Sequence, residues 1–306
     1  MARWGYPFLN LCAASLILAG PAPMHGCSGT AIQGEQPLII AHRGASGLLP
    51  EHTLAAYTGA YFQGADIIEP DVVATRDAEL VCFHDLTLGD LTDVRERFPS
   101  RRRDDGRWYV IDFDLDELRN LEIVGRSGRW SGSRIPTLDE MLGLIRSLNE
   151  RTGRRVGVIP EIKRPDFHAD HGVDLPARTL GTLRAAGWST DLVYIQCFDL
   201  VTIERLNTEL RCEYPLIHLT SRTLGDRELY HIAHVADGIG PSRDAIESDP
   251  TLVPRAHSRG LIVFPYTFGD EPSAVREFVL DRGVDGVFVD FPGIARRALG
   301  DGTNRD

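Results

Sequence analysis

Cysteine is scarce in this chain, at five among 306 residues. With an N-terminal leader set aside, Cys27, Cys82, Cys197 and Cys212 remain, too thinly spread for a disulfide framework. Cys82 and Cys197 lie in apolar runs and read as small core residues, and a pairing of one of them with Cys212 stays open. Positive charge is also short: 33 Lys and Arg face 44 Asp and Glu, a formal net charge of −11. Such a balance argues against nucleic-acid binding, which needs a basic surface. It also means that an anionic substrate needs local positive charge or a metal to overcome the global field. No apolar run reaches the ~20 residues that span a membrane. The ordinary composition, 42% hydrophobic and 25% charged, excludes a disordered or fibrous chain.

Residues 1–35 differ from the rest. Arg3 is the only early charge, the apolar run Phe8–Ala19 is interrupted by Asn10, and small residues and prolines follow. This is a secretory signal pattern and linker, so the protein is expected to be exported, as a periplasmic or cell-envelope protein. Met24-His25-Gly26-Cys27 is a loose version of the box before a lipid-modified cysteine. A lipid on Cys27 would anchor the chain to a membrane. Oligomeric state leaves no mark on the sequence.

From residue 36 to about 300 the chain alternates short apolar runs with helical patterns. Parallel strand candidates begin at residues 38, 65, 156, 193, 214, 236, 261 and 286. The run Leu80–His84 follows its predecessor too closely for a parallel crossover and is expected to return as a hairpin. Helices are expected over Thr53–Gln63, from Thr137 to Leu148, and over Leu175–Ala186, Leu200–Leu210, Thr251–Arg259 and Ala274–Arg282, with a weak one at His231–Ala236. Eight parallel strands alternating with helices predict a (β/α)8 TIM barrel. Residues of about 86–135 are irregular, exceed the barrel's basic repeat and are expected to cap the site. Their Arg101-Arg102-Arg103 cluster reads as a solvated face.

The candidate chemistry sits at strand ends. The first strand, Leu38–Ala41, delivers His42 and Arg43 into a loop broken by Gly44, Gly47 and Pro50, glycines expected to let the backbone turn close to a substrate. Glu69 and Asp71 lie two residues apart, on one side of an extended segment. Glu161 and Lys163 end a later strand. Carboxylates gathered at a barrel mouth stay ionised only if a cation neutralises them, and an all-oxygen set suits a hard divalent ion, Mg²⁺ or Ca²⁺. His42 and His84 stand beside them and can divide general base and general acid duties at neutral pH. Arg43 and Lys163 can stabilise the negative charge of a phosphorane. His168, His171, His218, His231, His234 and His257 read as packed or surface residues.

The stretch Leu38–Thr53, with its Ala41-His42-Arg43-Gly44-Ala45-Ser46 and Pro50-Glu51-His52-Thr53, resembles the opening signature of the glycerophosphodiester phosphodiesterases. Glu69-Pro70-Asp71, Phe83-His84-Asp85, Pro160-Glu161-Ile162-Lys163, Gln196-Cys197-Phe198, Pro265-Tyr266-Thr267 and the run 285–292 are similar to that family's later motifs in order, over about residues 37–299. The insertion is most similar to the periplasmic, calcium-dependent branch. The resemblance implies hydrolysis of small glycerophosphodiesters to sn-glycerol 3-phosphate and an alcohol. It implies a metal, Ca²⁺ before Mg²⁺, on Glu69, Asp71 and Glu161, catalysis by His42 and His84, and substrate contacts from Arg43, Lys163, Phe198 and Tyr266. Departures are few. The family's usual arginine is missing in Leu88-Gly89-Asp90-Leu91, Tyr266 stands where many relatives carry tryptophan, and Val289 replaces a common threonine. A related barrel phosphodiesterase acting on intact lipid, of the sphingomyelinase D or phosphoinositide phospholipase C type, and a non-catalytic secreted binding protein are the alternatives.

Overall fold

The computed structural model describes Met1 and residues 36–124 and 131–300. The expected leader and Cys27 lie outside the described residues. Among the described residues, eleven strands occur in the order β1 (Leu38–His42), β2 (Ile67–Glu69), β3 (Asp71–Ala74), β4 (Leu80–Cys82), β5 (Gly157–Val158), β6 (Glu161–Ile162), β7 (Ile195–Cys197), β8 (Leu216–Thr220), β9 (Gly238–Pro241), β10 (Ile262–Val263) and β11 (Gly286–Val289).

Two of the expected strands are each split by a proline. Pro70 separates β2 from β3 and Pro160 separates β5 from β6, because a ring nitrogen has no proton for the ladder. The ladder resumes on both sides: the Ile159, Glu161 and Lys163 amides donate to the Ile68, Pro70 and Val72 carbonyls. Counted as single strands, they complete a ring of eight. Its order runs β11, β1, β2/β3, β5/β6, β7, β8, β9, β10, with parallel pairing throughout. The ring closes where the Asp285 and Phe288 amides donate to the Val263 and Pro265 carbonyls. The (β/α)8 barrel is therefore observed. The hairpin is present too, β4 returning antiparallel on β3 with Val73 opposite Val81.

Helices fill the outer layer. The helix Leu54–Phe62 starts where the Thr53 hydroxyl accepts from the Ala56 amide. Leu138–Thr152 carries the expected reciprocal cap, Thr137 accepting from the Glu140 amide while Glu140 reaches back to the Thr137 amide. Two expectations shift. The weak helix falls at Asp226–Ile232 rather than His231–Ala236, where Gly225 and Glu228 supply a start. The last-but-one helix is α-helical over Pro272–Arg276 and then widens into a π-type turn, Glu277–Asp281.

Inside the ring, Leu38, Ile40, Ile67, Ile159, Tyr194, Ile217, Phe264 and Phe288 form a buried plug. An eight-stranded barrel is just wide enough for side chains to fill. The described residues of the segment 86–135 build a separate small core with Val73, Val81 and Phe83, led by Trp108, Phe113 and Leu118. Arg101 pairs with Glu117, and Arg103 with Asp112. Cys82, Cys197 and Cys212 are buried free thiols, which closes the pairing question for the three.

Candidate active site

Side chains along a strand alternate, so the residue two beyond each plug residue also points inward, one layer higher. That rule generates the site. Ile40 is followed by His42, Ile67 by Glu69 and then Asp71, Ile159 by Glu161 and Lys163, Tyr194 by Gln196 and Phe198, Phe264 by Tyr266, and Phe288 by Asp290. The register levels them: His42 lies opposite Glu69, Asp71 opposite Glu161, and Glu161 opposite Gln196. They surround a cavity of about 240 Å³. Eight of the nine predicted site residues line it: His42, Arg43, Glu69, His84, Glu161, Lys163, Phe198 and Tyr266. Asp71, the ninth, is buried behind the wall. Among the described residues, none from 86–135 lines this cavity.

Glu69, Asp71 and Glu161 are all buried, and an oxygen from each lies within 4.8 Å of the others. The Glu69 carboxyl is pushed well above its usual range by burial and by the charges of Asp71 and Glu161. Glu161 rises to about 8, through burial and Asp71, although Lys163 opposes. Burial pushes Asp71 up as well, but Lys163, the His52 hydrogen bond and Arg43 outweigh it and hold that carboxyl well below its usual range. Lys163 Nζ stands 2.8 Å from Glu161 and 3.5 Å from Asp71. Arg43 reaches Glu51 at 2.8 Å and Asp71 at 3.3 Å, and its backbone amide donates to Glu69 at 2.7 Å. With Glu51, four carboxylates face two cations. Asp71 Oδ1 and Gln196 Oε1 are buried without a hydrogen-bond partner. An all-oxygen cluster with surplus negative charge and orphaned acceptors fits a hard divalent cation.

His42 is the better fixed of the two histidines. Its Nδ1–H donates to Asp290 at 2.8 Å, and Ser46 donates to the same carboxylate oxygen at 2.9 Å. The remaining nitrogen, Nε2, accepts from Arg43 Nε–H at 3.2 Å. Burial and the Arg43 charge lower its pKa against the opposing pull of Asp290, so the ring rests neutral with a lone pair on Nε2. His84 follows β4, more open to solvent, with Nδ1 2.7 Å from Asp85. On the opposite wall Phe198 and Tyr266 meet edge to face at 5.8 Å, and the Tyr266 hydroxyl donates to the Thr220 carbonyl.

Sequence reasoning singled out neither Asp290, Glu51, Gln196 nor His52. All four stand inside the motif strings, and Asp290 and Gln196 also satisfy the two-residue rule from a plug residue. The two loop glycines also answer to packing within the protein. Gly44 has φ +86°, and a Cβ there would lie 2.7 Å from the Ala56 backbone. A Cβ on Gly47 would overlap the Phe291 ring. The protein's own packing demands both. The other six described histidines stay outside the cavity, as expected. His168 is buried, His171 meets Arg103, and His231 and His257 pair with Glu204 and Asp285.

Comparison with known proteins agrees with this geometry. The glycerophosphoryl diester phosphodiesterase family model matches residues 42–294. A glycerophosphodiester phosphodiesterase of Haemophilus influenzae is 33% identical over 93% of this chain and 95% of its own. One from Arabidopsis thaliana is 30% identical over 92% and 91%. Among solved structures, an Oleispira antarctica phosphodiesterase in complex with the product sn-glycerol-3-phosphate shares the fold. Its TM-score is 0.72 at 24% identity, over 88% of this chain and 99% of that one. The ring of eight strands, the acidic trio beside two histidines and the match along nearly the whole barrel lead to one conclusion: the chain belongs to the glycerophosphoryl diester phosphodiesterase family.

Proposed function

We propose that the protein hydrolyses small glycerophosphodiesters to sn-glycerol 3-phosphate and an alcohol, using a divalent cation held by Glu69, Asp71 and Glu161. The observation that carries the reading is the convergence of two carboxylates, two histidines and two cationic side chains on one cavity, with the buried Asp71 within 4.8 Å of both carboxylates. The Oleispira structure holds sn-glycerol-3-phosphate as product, which supports the same product here. The family membership and the acid–base pair favour this over a binding protein. A 240 Å³ cavity favours a small diester over an intact lipid with its acyl chains.

When bound, the cation, Ca²⁺ with Mg²⁺ as the comparison, would neutralise phosphate charge and activate the nucleophilic oxygen. The chain's own residues do the rest. Arg43 and Lys163 hold the phosphoryl oxygens and stabilise the charge that grows on them. His42 Nε2 removes the proton of the attacking hydroxyl, either water's or the substrate's own glycerol hydroxyl, while Asp290 stabilises the resulting imidazolium. His84 gives its proton to the leaving alcohol oxygen as the P–O bond breaks. Attack by the glycerol hydroxyl yields a cyclic phosphate, which water then opens. Phe198 and Tyr266 flank the organic part of the substrate. The leader and Cys27 support export and a cell-envelope location, checked by fractionation and by mass spectrometry of the mature N-terminus.

The test is incubation of purified protein with several glycerophosphodiesters plus Ca²⁺ or Mg²⁺, with assay of released sn-glycerol 3-phosphate. Turnover of glycerophosphocholine that excess chelator abolishes is the expected result. Release from intact phospholipid alone, or full activity in excess EDTA, contradicts it.

A further inference from the structure

Behind the acidic trio stands a buried pair that the proposed reaction does not use. His52 is 1% exposed and takes a left-handed backbone, φ +54°. That conformation directs its ring between Tyr57 and the metal-facing carboxylate. His52 Nε2 lies 2.9 Å from Asp71 Oδ2, and its Nδ1 lies 2.9 Å from the Tyr57 hydroxyl. A carboxylate oxygen only accepts, so Nε2 carries the proton and Nδ1 is left to accept from Tyr57 O–H. Tyr57 is wholly buried and also interacts with the Cys82 thiol. The pair thus fixes one tautomer and one ring orientation. Its effect on Asp71 is asymmetric. Oδ2 accepts from His52 and is approached by Arg43 at 3.3 Å, whereas Oδ1 has no hydrogen-bond partner and only the Lys163 ammonium at 3.5 Å beside it.

We infer that His52, oriented by Tyr57, is a positioning residue for the cation: it saturates one oxygen of Asp71 and thereby presents the other to the metal. The inference rests on the metal reading of the trio. Outer partners of metal ligands typically change affinity by about 10- to 100-fold when removed.

The test is calorimetric titration of the chelator-stripped full chain with Ca²⁺ alone, repeated with Mg²⁺. His52→Asn suits the left-handed backbone but is too short to reach Asp71. It is expected to weaken Ca²⁺ binding at least about tenfold, while kcat at saturating Ca²⁺ recovers to within severalfold of the parent. His52→Gln restores a donor at the reach of Nε2 and should recover most of the affinity, which a merely space-filling role would not produce. Tyr57→Phe leaves the ring but frees its tautomer and should fall between the two. If His52→Asn does not fold, Tyr57→Phe decides. Parental affinity in a folded His52→Asn, or in Tyr57→Phe when that variant decides, overturns the inference alone. A parent chain that binds neither ion overturns the metal reading and this inference with it.

Discussion

Two layers of the barrel interior, two residues apart on the same strands, differ in almost every physical respect. The lower layer, Ile40, Ile67, Ile159, Tyr194, Phe264 and Phe288, is buried and apolar and contributes stability by close packing. The upper layer carries His42, Glu69, Glu161, Gln196, Tyr266 and Asp290 around a cavity, with carboxyls pushed off their ordinary values and acceptors left without partners. Backbone, register and handedness are shared. The difference lies in side-chain chemistry alone, and it separates what holds the barrel from what works in it.

The sharpest way to break that division is to cut each layer in turn. Phe264→Ala in the plug should cost about 3–5 kcal/mol of stability, with kcat of the folded fraction nearly kept, as thermal unfolding and a steady-state assay would show. His42→Ala in the layer above should lower kcat by about 10²- to 10⁴-fold and leave the melting temperature within a degree or two. A large stability loss in His42→Ala, with activity spared, would erase the distinction.

Asp290→Asn comes next. It keeps the shape of the His42 partner but not its charge, and kcat should fall about 10- to 100-fold, the scale of one charged hydrogen bond, with KM little changed. Equal turnover in the variant would remove Asp290 from the mechanism.

Outside both layers, His168 gives the contrast of a buried histidine whose ring nitrogens have no hydrogen-bond partner. Burial lowers its pKa to about 4, against an unfolded value near 6.5. The unfolded chain therefore takes up the proton first on acidification. The contribution of His168 to stability should be level above pH 6.5, fall by up to about 3 kcal/mol between pH 6.5 and 4, and level off below. His168→Gln should flatten that step in denaturant titrations across pH, and an unchanged slope would assign the acid loss to other groups. The smallest effect is expected at the rim, where Phe198 is 44% exposed. Phe198→Ala should raise KM for glycerophosphocholine several-fold, on the order of 1 kcal/mol, without altering kcat.

Much of this was legible in the sequence. The eight strands begin within two residues of their expected starts because fully buried parallel strands write continuous apolar runs, bounded by helical patterns and glycines. Seven of the nine candidate residues could be named because strand ends place chemistry, and because Glu69 and Asp71 share a face by simple alternation, while Phe198 and Tyr266 came from the family resemblance alone. What stayed hidden depends on three-dimensional closure. Asp290 joins His42 across 248 residues, when the last strand pairs with the first. His52 reads as one more polar loop residue until its left-handed backbone sets it behind Asp71. The prolines at 70 and 160 divide strands whose apolar pattern runs straight through them. The packing of Gly44 and Gly47 depends on neighbours that the sequence does not place beside them.

The central claim is that the acidic trio holds a divalent cation at the cost of repulsion in its absence, and Glu161→Gln tests it most directly. Melting temperature at pH 7 is measured with excess chelator and then with Ca²⁺, alongside turnover of glycerophosphocholine. Burial and the Asp71 charge raise the Glu161 carboxyl to about 8 and disfavour its ionised form in the metal-free protein, so the amide should leave that melting temperature unchanged or higher. The Ca²⁺-dependent rise and at least about 99% of turnover should disappear. A variant that keeps both the Ca²⁺-dependent rise and the parental turnover would contradict the account.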